Sequence, residues 1–248
     1  MRLKLTNSVY LVGSGSSGIG LTDALDCNVY YIDCGSECIL IDAGAGYNSS
    51  RLIAQINAVN PDHKPLSKLL LTHHHGDHAG GAFELSQYYH CLVHAPESEV
   101  PSIESGDEKV LGLDVAKNAG FYPSDYIFHP CPVDVSLSPG SRIQVGSVVI
   151  DVLEGSGHSL GGICYYLEID QQKMLFCGDL LAFGGLISLQ NIPGADLACY
   201  SRSVLALESL PVDCFFPGHG CFSLSGGQRH ISIAASAFKQ LGIPKNAI

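Results

Sequence analysis

Short, largely apolar runs recur along this chain, unbroken at 69–71 and elsewhere carrying at most one polar or charged residue. They occupy residues 9–12, 29–32, 38–42, 69–71, 91–94, 164–169, 174–177 and 212–216. A strand covered on both faces has no polar side to alternate with, so such runs predict buried strands. Val145, Val148, Val149, Ile150, Val152 and Leu153 predict one more strand, leading to Gly155. Helical spacing appears over residues 50–59, stopped near Pro61, and again over 201–210 and 228–241, while a further helix is expected to begin within 79–85. Residues 95–139 are richer in charge and proline and predict helical or irregular structure near the site. Alternation of this kind places the chain in the α/β class, with helices covering sheets. No repeat, low-complexity stretch or linker interrupts it, so one domain spanning 1–248 is expected.

The chemistry concentrates where one of these strands ends. Residues 72–78 read Thr-His-His-His-Gly-Asp-His, directly after the run ending at Leu71. Open α/β sheets place their sites at such strand-to-helix corners. His73 and His75 are positioned to face one metal while Asp77 and His78 turn toward a second. His74 lies between two ligand candidates in an extended segment and is expected to point away. Imidazoles with one hard carboxylate suit zinc, with iron or manganese as alternatives. Downstream, Gly155 and Gly157 would let the backbone bend tightly beside His158. Asp179 follows the run at 174–177, again a carboxylate at a strand end.

The spacing His73-x-His75-x-Asp77-His78 resembles the signature of the metallo-β-lactamase superfamily. Other segments resemble its remaining motifs in order: Leu-Ile-Asp-Ala-Gly at 40–44, Gly-Ser-Gly-His-Ser-Leu-Gly-Gly at 155–162, Phe-Cys-Gly-Asp at 176–179 and Phe-Pro-Gly-His-Gly at 216–220. This resemblance, and not the periodicity, implies a four-layer αββα sandwich. It implies that His73, His75 and His158 hold a first metal, that Asp77, His78 and His219 hold a second, and that Asp179 bridges them. Asp42 would stand behind the metals without ligating. Two zinc ions about 3.5–4 Å apart would share a hydroxide nucleophile, with Asp179 holding the bridge and Asp77 orienting the hydroxide or taking a proton.

The resemblance also bears on substrate. Residues 178–185 resemble part of the glyoxalase II pattern, but that family's Cys-Gly-Arg continuation is replaced by Leu186, Ile187 and Ser188. The stretch after His219 is too short for that family's helical substrate domain. Acyl-homoserine lactonases are also similar, yet their tyrosine after the bridging aspartate is absent, with Ala182 and Phe183 in that stretch and Tyr200 as a substitute proton donor. The expected activity is hydrolysis of an ester, thioester or lactone bond in a small molecule. Phe183, Leu186, Ile187, Phe121 and Tyr122 would form a pocket for an apolar acyl group. The alternatives are a mononuclear iron-dependent oxidoreductase resembling persulfide dioxygenases, a phosphodiesterase, or a binding protein that has lost the chemistry.

Composition narrows the partners. A net charge of -11 disfavours nucleic acid, which needs a basic surface. The first residues lead into no long apolar segment, so neither secretion nor a membrane span is expected, and a cytoplasmic location follows. In that setting the ten cysteines are expected to be free, with Cys91, Cys164, Cys177 and Cys214 as buried filling. Cys34 and Cys38 lack the second pair that a zinc site needs. Cys177 and Cys221 are expected near the site without completing it. His63, His90, His94, His129 and His230 are expected at the surface or hydrogen-bonded.

Overall fold

The computed structural model describes residues 2–247. Its strands form two sheets. The first holds, in spatial order, β1 (Leu3–Lys4), β2 (Val9–Gly13), β3 (Val29–Asp33), β4 (Cys38–Ile41), β5 (Leu66–Leu70), β6 (Leu92–Pro96) and β7 (Val135–Leu137). Its first four strands pair antiparallel, and β4 to β7 run parallel. The second sheet runs in the order β12 (Cys214–Pro217), β11 (Gln172–Gly178), β10 (Ile163–Ile169), β9 (Val148–Glu154), β8 (Arg142–Val145).

The largely apolar runs have a simple cause: each strand feeds two cores. Along β3, Tyr30 and Ile32 enter the core between the sheets while Val29 and Tyr31 pack under helices. Along β11, Met174 and Phe176 face inward, and Leu175 and Cys177 face the opposite helical layer. The first sheet's outer face is covered by α1 (Ser49–Val59) and α3 (Ala82–Tyr89), with α4 (Val100–Ser105) and α5 (Leu113–Asn118) beyond. The second sheet's outer face is covered by α6 (Leu197–Leu207) and α7 (Gln228–Lys239). The result is a four-layer αββα sandwich, the expected architecture.

Some boundaries differ from the sequence reading. The strand expected over 145–153 is a hairpin: Val145 ends β8, Gly146 turns with φ 56°, and β9 starts at Val148. The turn escapes notice because apolar residues flank it on both sides. Helix α6 starts at Leu197, earlier than expected, because Asp196 caps it by accepting from the Cys199 N–H at 2.6 Å. A four-residue helix, α2 (Gly76–Ala79), precedes the helix expected near 79–85. All ten cysteines are free thiols. Burial pushes Cys34 up to about 12 and Cys38 up to about 11, which suits inert filling. Cys177 does not share a face with Asp179, because the strand ends at Gly178, and its thiol packs against Leu181 in the outer core.

His63, His90 and His129 are exposed, and His230 is buried with hydrogen bonds to Ser223 and the Gly184 N–H. His94 departs from expectation, being only 5% exposed with neither ring nitrogen hydrogen-bonded. Burial, with Lys68 adding to it, lowers its pKa to about 4. The unfolded chain, titrating near 6.5, therefore binds a proton that the folded chain refuses. Stability is predicted to fall as pH drops from about 6.5 to about 4, by up to ~3 kcal/mol from this residue. His94→Leu should flatten that part of the pH profile of urea unfolding relative to wild type. An unchanged slope would show that His94 is protonated in the folded protein.

Candidate metal centre

Five strand ends converge on one edge of the sandwich. Asp42 follows β4, His73 and His75 follow β5, Asp77 and His78 lie on α2, His158 follows β9, Asp179 follows β11 and His219 follows β12. All seven residues expected as ligands are brought together. His75 Nδ1 lies 3.1 Å from His73 Nε2 and 2.9 Å from His158 Nε2. His219 Nε2 lies 3.3 Å from His78 Nε2 and 2.9 Å from Asp77 Oδ2. Asp179 stands between these groups, with Oδ2 3.4 Å from both His158 Nε2 and His219 Nε2, and Oδ1 3.2 Å from His78 Nε2.

These spacings suit cations. Zinc–nitrogen bonds of about 2.0–2.1 Å around a tetrahedron imply donor separations of roughly 3.3 Å. The protons point the other way. The Thr72 hydroxyl gives its hydrogen to Asp42, so at 3.0 Å it accepts from His73 Nδ1–H. His78 Nδ1 donates to Asp42 Oδ2 at 2.8 Å and His158 Nδ1 to the Ser188 carbonyl at 2.6 Å. Each of these three rings is thereby left with a lone pair on Nε2, aimed into the cluster. Asp179 Oδ1 is buried with no hydrogen-bond partner, an acceptor that a cation would satisfy.

The electrostatics divide the rings. Cys27, Asp179 and Asp42 outweigh burial at His78, and Asp179 and Asp77 outweigh it at His219. These two rings are therefore held above the usual histidine range and keep a proton that a bound cation would displace. Burial, reinforced by neighbouring imidazoles, holds His73 and His75 well below the usual histidine range, keeping them neutral. Burial alone would raise both carboxyls. For Asp77 the opposing pull of His78 and His219 wins, and for Asp179 that of His219 and His78, so both sit below the ordinary carboxylate range.

The loops are pinned from behind. Asp42 adopts φ 63°, a left-handed conformation that aspartate tolerates better than most residues. There its carboxylate accepts from the Thr72 N–H at 2.8 Å, the Thr72 hydroxyl and His78. Glu99, which the sequence reading passed over, accepts from the His74 N–H at 2.7 Å and the Gly161 N–H at 2.9 Å, joining the loops that carry His75 and His158. His74 turns away as expected, its ring bonded to Ser102. Asn28 and Tyr30 hold the Pro217 carbonyl beside His219. Gly218 has no room for a side chain, since a Cβ there would collide with Asp179 Oδ1 and the His78 ring.

Five of the seven, His75, Asp77, His158, Asp179 and His219, line the floor of a cleft of about 870 Å³. Of the residues expected in an acyl pocket, Phe121, Tyr122, Phe183 and Leu186 line it. Ile187 does not, being buried in the outer core. Tyr200 is not placed as a proton donor either, since its buried hydroxyl donates to the Asp179 backbone carbonyl. The tyrosine that reaches the site is Tyr122, whose hydroxyl donates to Asp77 Oδ1 at 2.7 Å and accepts from the Asp77 N–H at 3.0 Å. Cys221 is exposed on the cleft wall.

A four-layer sandwich with imidazole and carboxylate donors gathered at its strand ends defines a class. The model of the metallo-beta-lactamase superfamily matches residues 22–219, and the chain belongs to that superfamily. An uncharacterized protein of Aquifex aeolicus is 32% identical over 193 residues, covering 77% of this chain and 81% of its own length. A hydroxyacylglutathione hydrolase of Pseudomonas paraeruginosa is 30% identical over 177 residues, covering 71% of this chain. The chain spans 54% of that relative's length. Among solved structures, a subclass B3 metallo-beta-lactamase of Bradyrhizobium japonicum superposes with a TM-score of 0.70 at 19% identity, over 97% of this chain and 93% of its own. A metallo-beta-lactamase of Cronobacter sakazakii, in a mutant form of its HARLDQ motif, reaches 0.72 at 20% identity, over 97% and 96%.

Two predictions follow from the pinning contacts. Asp42→Ala leaves His78 and Thr72 donors buried without an acceptor and is expected to cost about 3–5 kcal/mol in urea unfolding. Asp42→Asn, which keeps an acceptor oxygen and tolerates the left-handed backbone, should cost clearly less. Tyr122→Phe frees Asp77 Oδ1 and is expected to weaken zinc binding about 10-fold to 100-fold in chelator competition. A zinc affinity equal to wild type would limit Tyr122 to packing.

Proposed function

We propose that the chain is a hydrolase that uses two divalent cations, in our reading zinc, to cleave an ester, thioester or lactone bond of a small molecule. The observation that carries this is the pair of donor groups sharing Asp179 on the floor of a largely apolar cleft. His73, His75 and His158 would hold one ion, Asp77, His78 and His219 the other, with Asp179 between them. When bound, the ions supply an activated water and polarise the scissile oxygen. The chain's own residues supply the rest. Asp42, Thr72 and Ser188 hold the three ring tautomers, and Tyr122 fixes the Asp77 carboxylate so that it orients the attacking water. No serine or cysteine nucleophile is needed.

The names of relatives support acyl transfer to water. Besides the hydroxyacylglutathione hydrolases, an atrochrysone carboxyl ACP thioesterase of Aspergillus fumigatus is 26% identical over 195 residues. Among the described residues no arginine or lysine lines the cleft, which counts against a nucleic-acid phosphodiester. Among the described residues no helix is long and apolar enough to cross a membrane.

His158→Ala and His219→Ala are each expected to lower bound zinc and abolish chelator-sensitive hydrolysis, with the fold retained by circular dichroism. Asp179→Asn should cost turnover more than it costs the ion held by three histidines. The assay is a parallel panel of esters, thioesters, lactones, phosphodiesters and a β-lactam, with and without chelator. Activity confined to phosphodiesters or to the β-lactam would overturn the reading, as would a single iron with oxygen consumption.

A further inference from the structure

We infer that the cleft selects an uncharged, apolar acyl chain of medium length and discriminates against substrates that carry an anionic group along that chain. This rests on the hydrolase reading above and adds the substrate class to it.

The walls carry the argument. One is built by residues 111–122, with Leu113, Val115 and Phe121 facing the cleft; the other, by residues 182–192, presents Phe183, Leu186 and Ile192. The polar side chains on these walls, among them Ser188, Gln190 and Asn191, are uncharged. Among the described residues, the charged and titratable side chains lining the cleft are the site histidines and aspartates together with Tyr122 and Cys221. The nearest lysine on the first wall, Lys117, does not line the cleft and is engaged with Glu108 at 2.6 Å.

A carboxylate carried at the far end of an acyl chain would therefore lose its hydration against leucine and phenylalanine with no cation to meet it. Cations at the floor would act on the reacting end, and the chain end lies against the walls. An alkyl chain meets the opposite situation. Phe121, Phe183 and Val115 remain 56%, 43% and 42% exposed, large apolar side chains clustered around one opening, which is where a ligand's apolar surface gains most by burial. At about 870 Å³ the cleft lies toward the upper end of the roughly 300–1,000 Å³ typical of small-molecule sites, so it has room for a chain beyond the reacting group.

The experiment compares p-nitrophenyl butyrate, hexanoate and octanoate with the mono-p-nitrophenyl ester of octanedioic acid on the zinc-loaded protein. Expected is a rise in kcat/KM of about threefold to fourfold per added methylene, the value for burying that group. The octanoate should exceed its carboxylate-ended counterpart at least tenfold. Val115→Arg, a substitution at an exposed rim position, should shift that ratio about tenfold toward the acid. A flat chain-length dependence, a preference for the acid, or a ratio unmoved by Val115→Arg would overturn the inference while leaving hydrolysis in place. Calorimetric binding of butanamide, octanamide and the monoamide of octanedioic acid to the same protein reads the cleft without turnover. Octanamide bound best, with no ester, thioester or lactone hydrolysed, would sink the hydrolase reading and keep the apolar cleft. Equal binding of all three amides would remove the cleft inference by itself.

Discussion

The carboxylate of Asp42 is the contact on which the site's geometry depends. It is 1% exposed, and a buried anion must be met by donors or it destabilises the fold. The donors it finds belong to the next strand end and to the helix beyond: the Thr72 N–H and hydroxyl, and the His78 ring. One buried group thus sets the relative position of two adjacent strand ends and fixes the ring orientation of His78. Through the Thr72 hydroxyl it also reaches His73, so the two donor groups share a support behind them. Glu99 plays a parallel part between the loops of His75 and His158.

Such supports are needed because the site is otherwise self-repulsive. Seven side chains aim lone pairs into one small volume, and an arrangement of that kind relaxes unless the backbone around it is held. Two features hold it here. The strands that deliver the residues are buried on both faces, so their ends cannot shift without disturbing two cores at once. The loops between strand end and ligand are short and glycine-rich, and at Gly178, with φ 49°, and Gly218 the surrounding atoms leave no alternative residue. Rigid strands and tight loops together fix the donors in place before any ion arrives.

How much of this the sequence discloses depends on whether a residue acts through a local pattern or through a distant contact. The strands were legible because burial on both faces leaves a largely apolar run. The ligand candidates were legible as a set through the resemblance of five motifs to those of the superfamily, the one at 72–78 also standing out as a histidine cluster directly after such a run. The hairpin at 142–154 was not, since Gly146 is one glycine among apolar neighbours and nothing in the period marks a reversal. The contact that Tyr122, expected only as pocket lining, makes with Asp77 and the part played by Glu99 escape the pattern for a different reason. Each residue sits in a stretch with no clear period and reaches its partner across many positions, 45 residues from Asp77 in the case of Tyr122 and 62 from Gly161 in the case of Glu99. Tyr200 shows the converse error, in which nearness along the chain to Asp179 was mistaken for access to the cleft. Its helix turns the hydroxyl onto a backbone carbonyl instead.

The same contrast separates the reacting centre from the surface that would meet a substrate. The centre is built from strand ends whose positions two cores dictate, whereas the cleft walls come from residues 111–122 and 182–192, which lie almost entirely outside both sheets. Side chains on those walls can change without disturbing either core, so substrate choice is separable from the chemistry in this fold. The separation is incomplete at two points. Tyr122 ties the first wall to Asp77, and Ser188 ties the second to His158 through its carbonyl. A change of wall backbone at either point would therefore be felt at a ligand, while a change of side chain at Val115, Phe121 or Phe183 would alter what the cleft accepts and leave the donors where they stand.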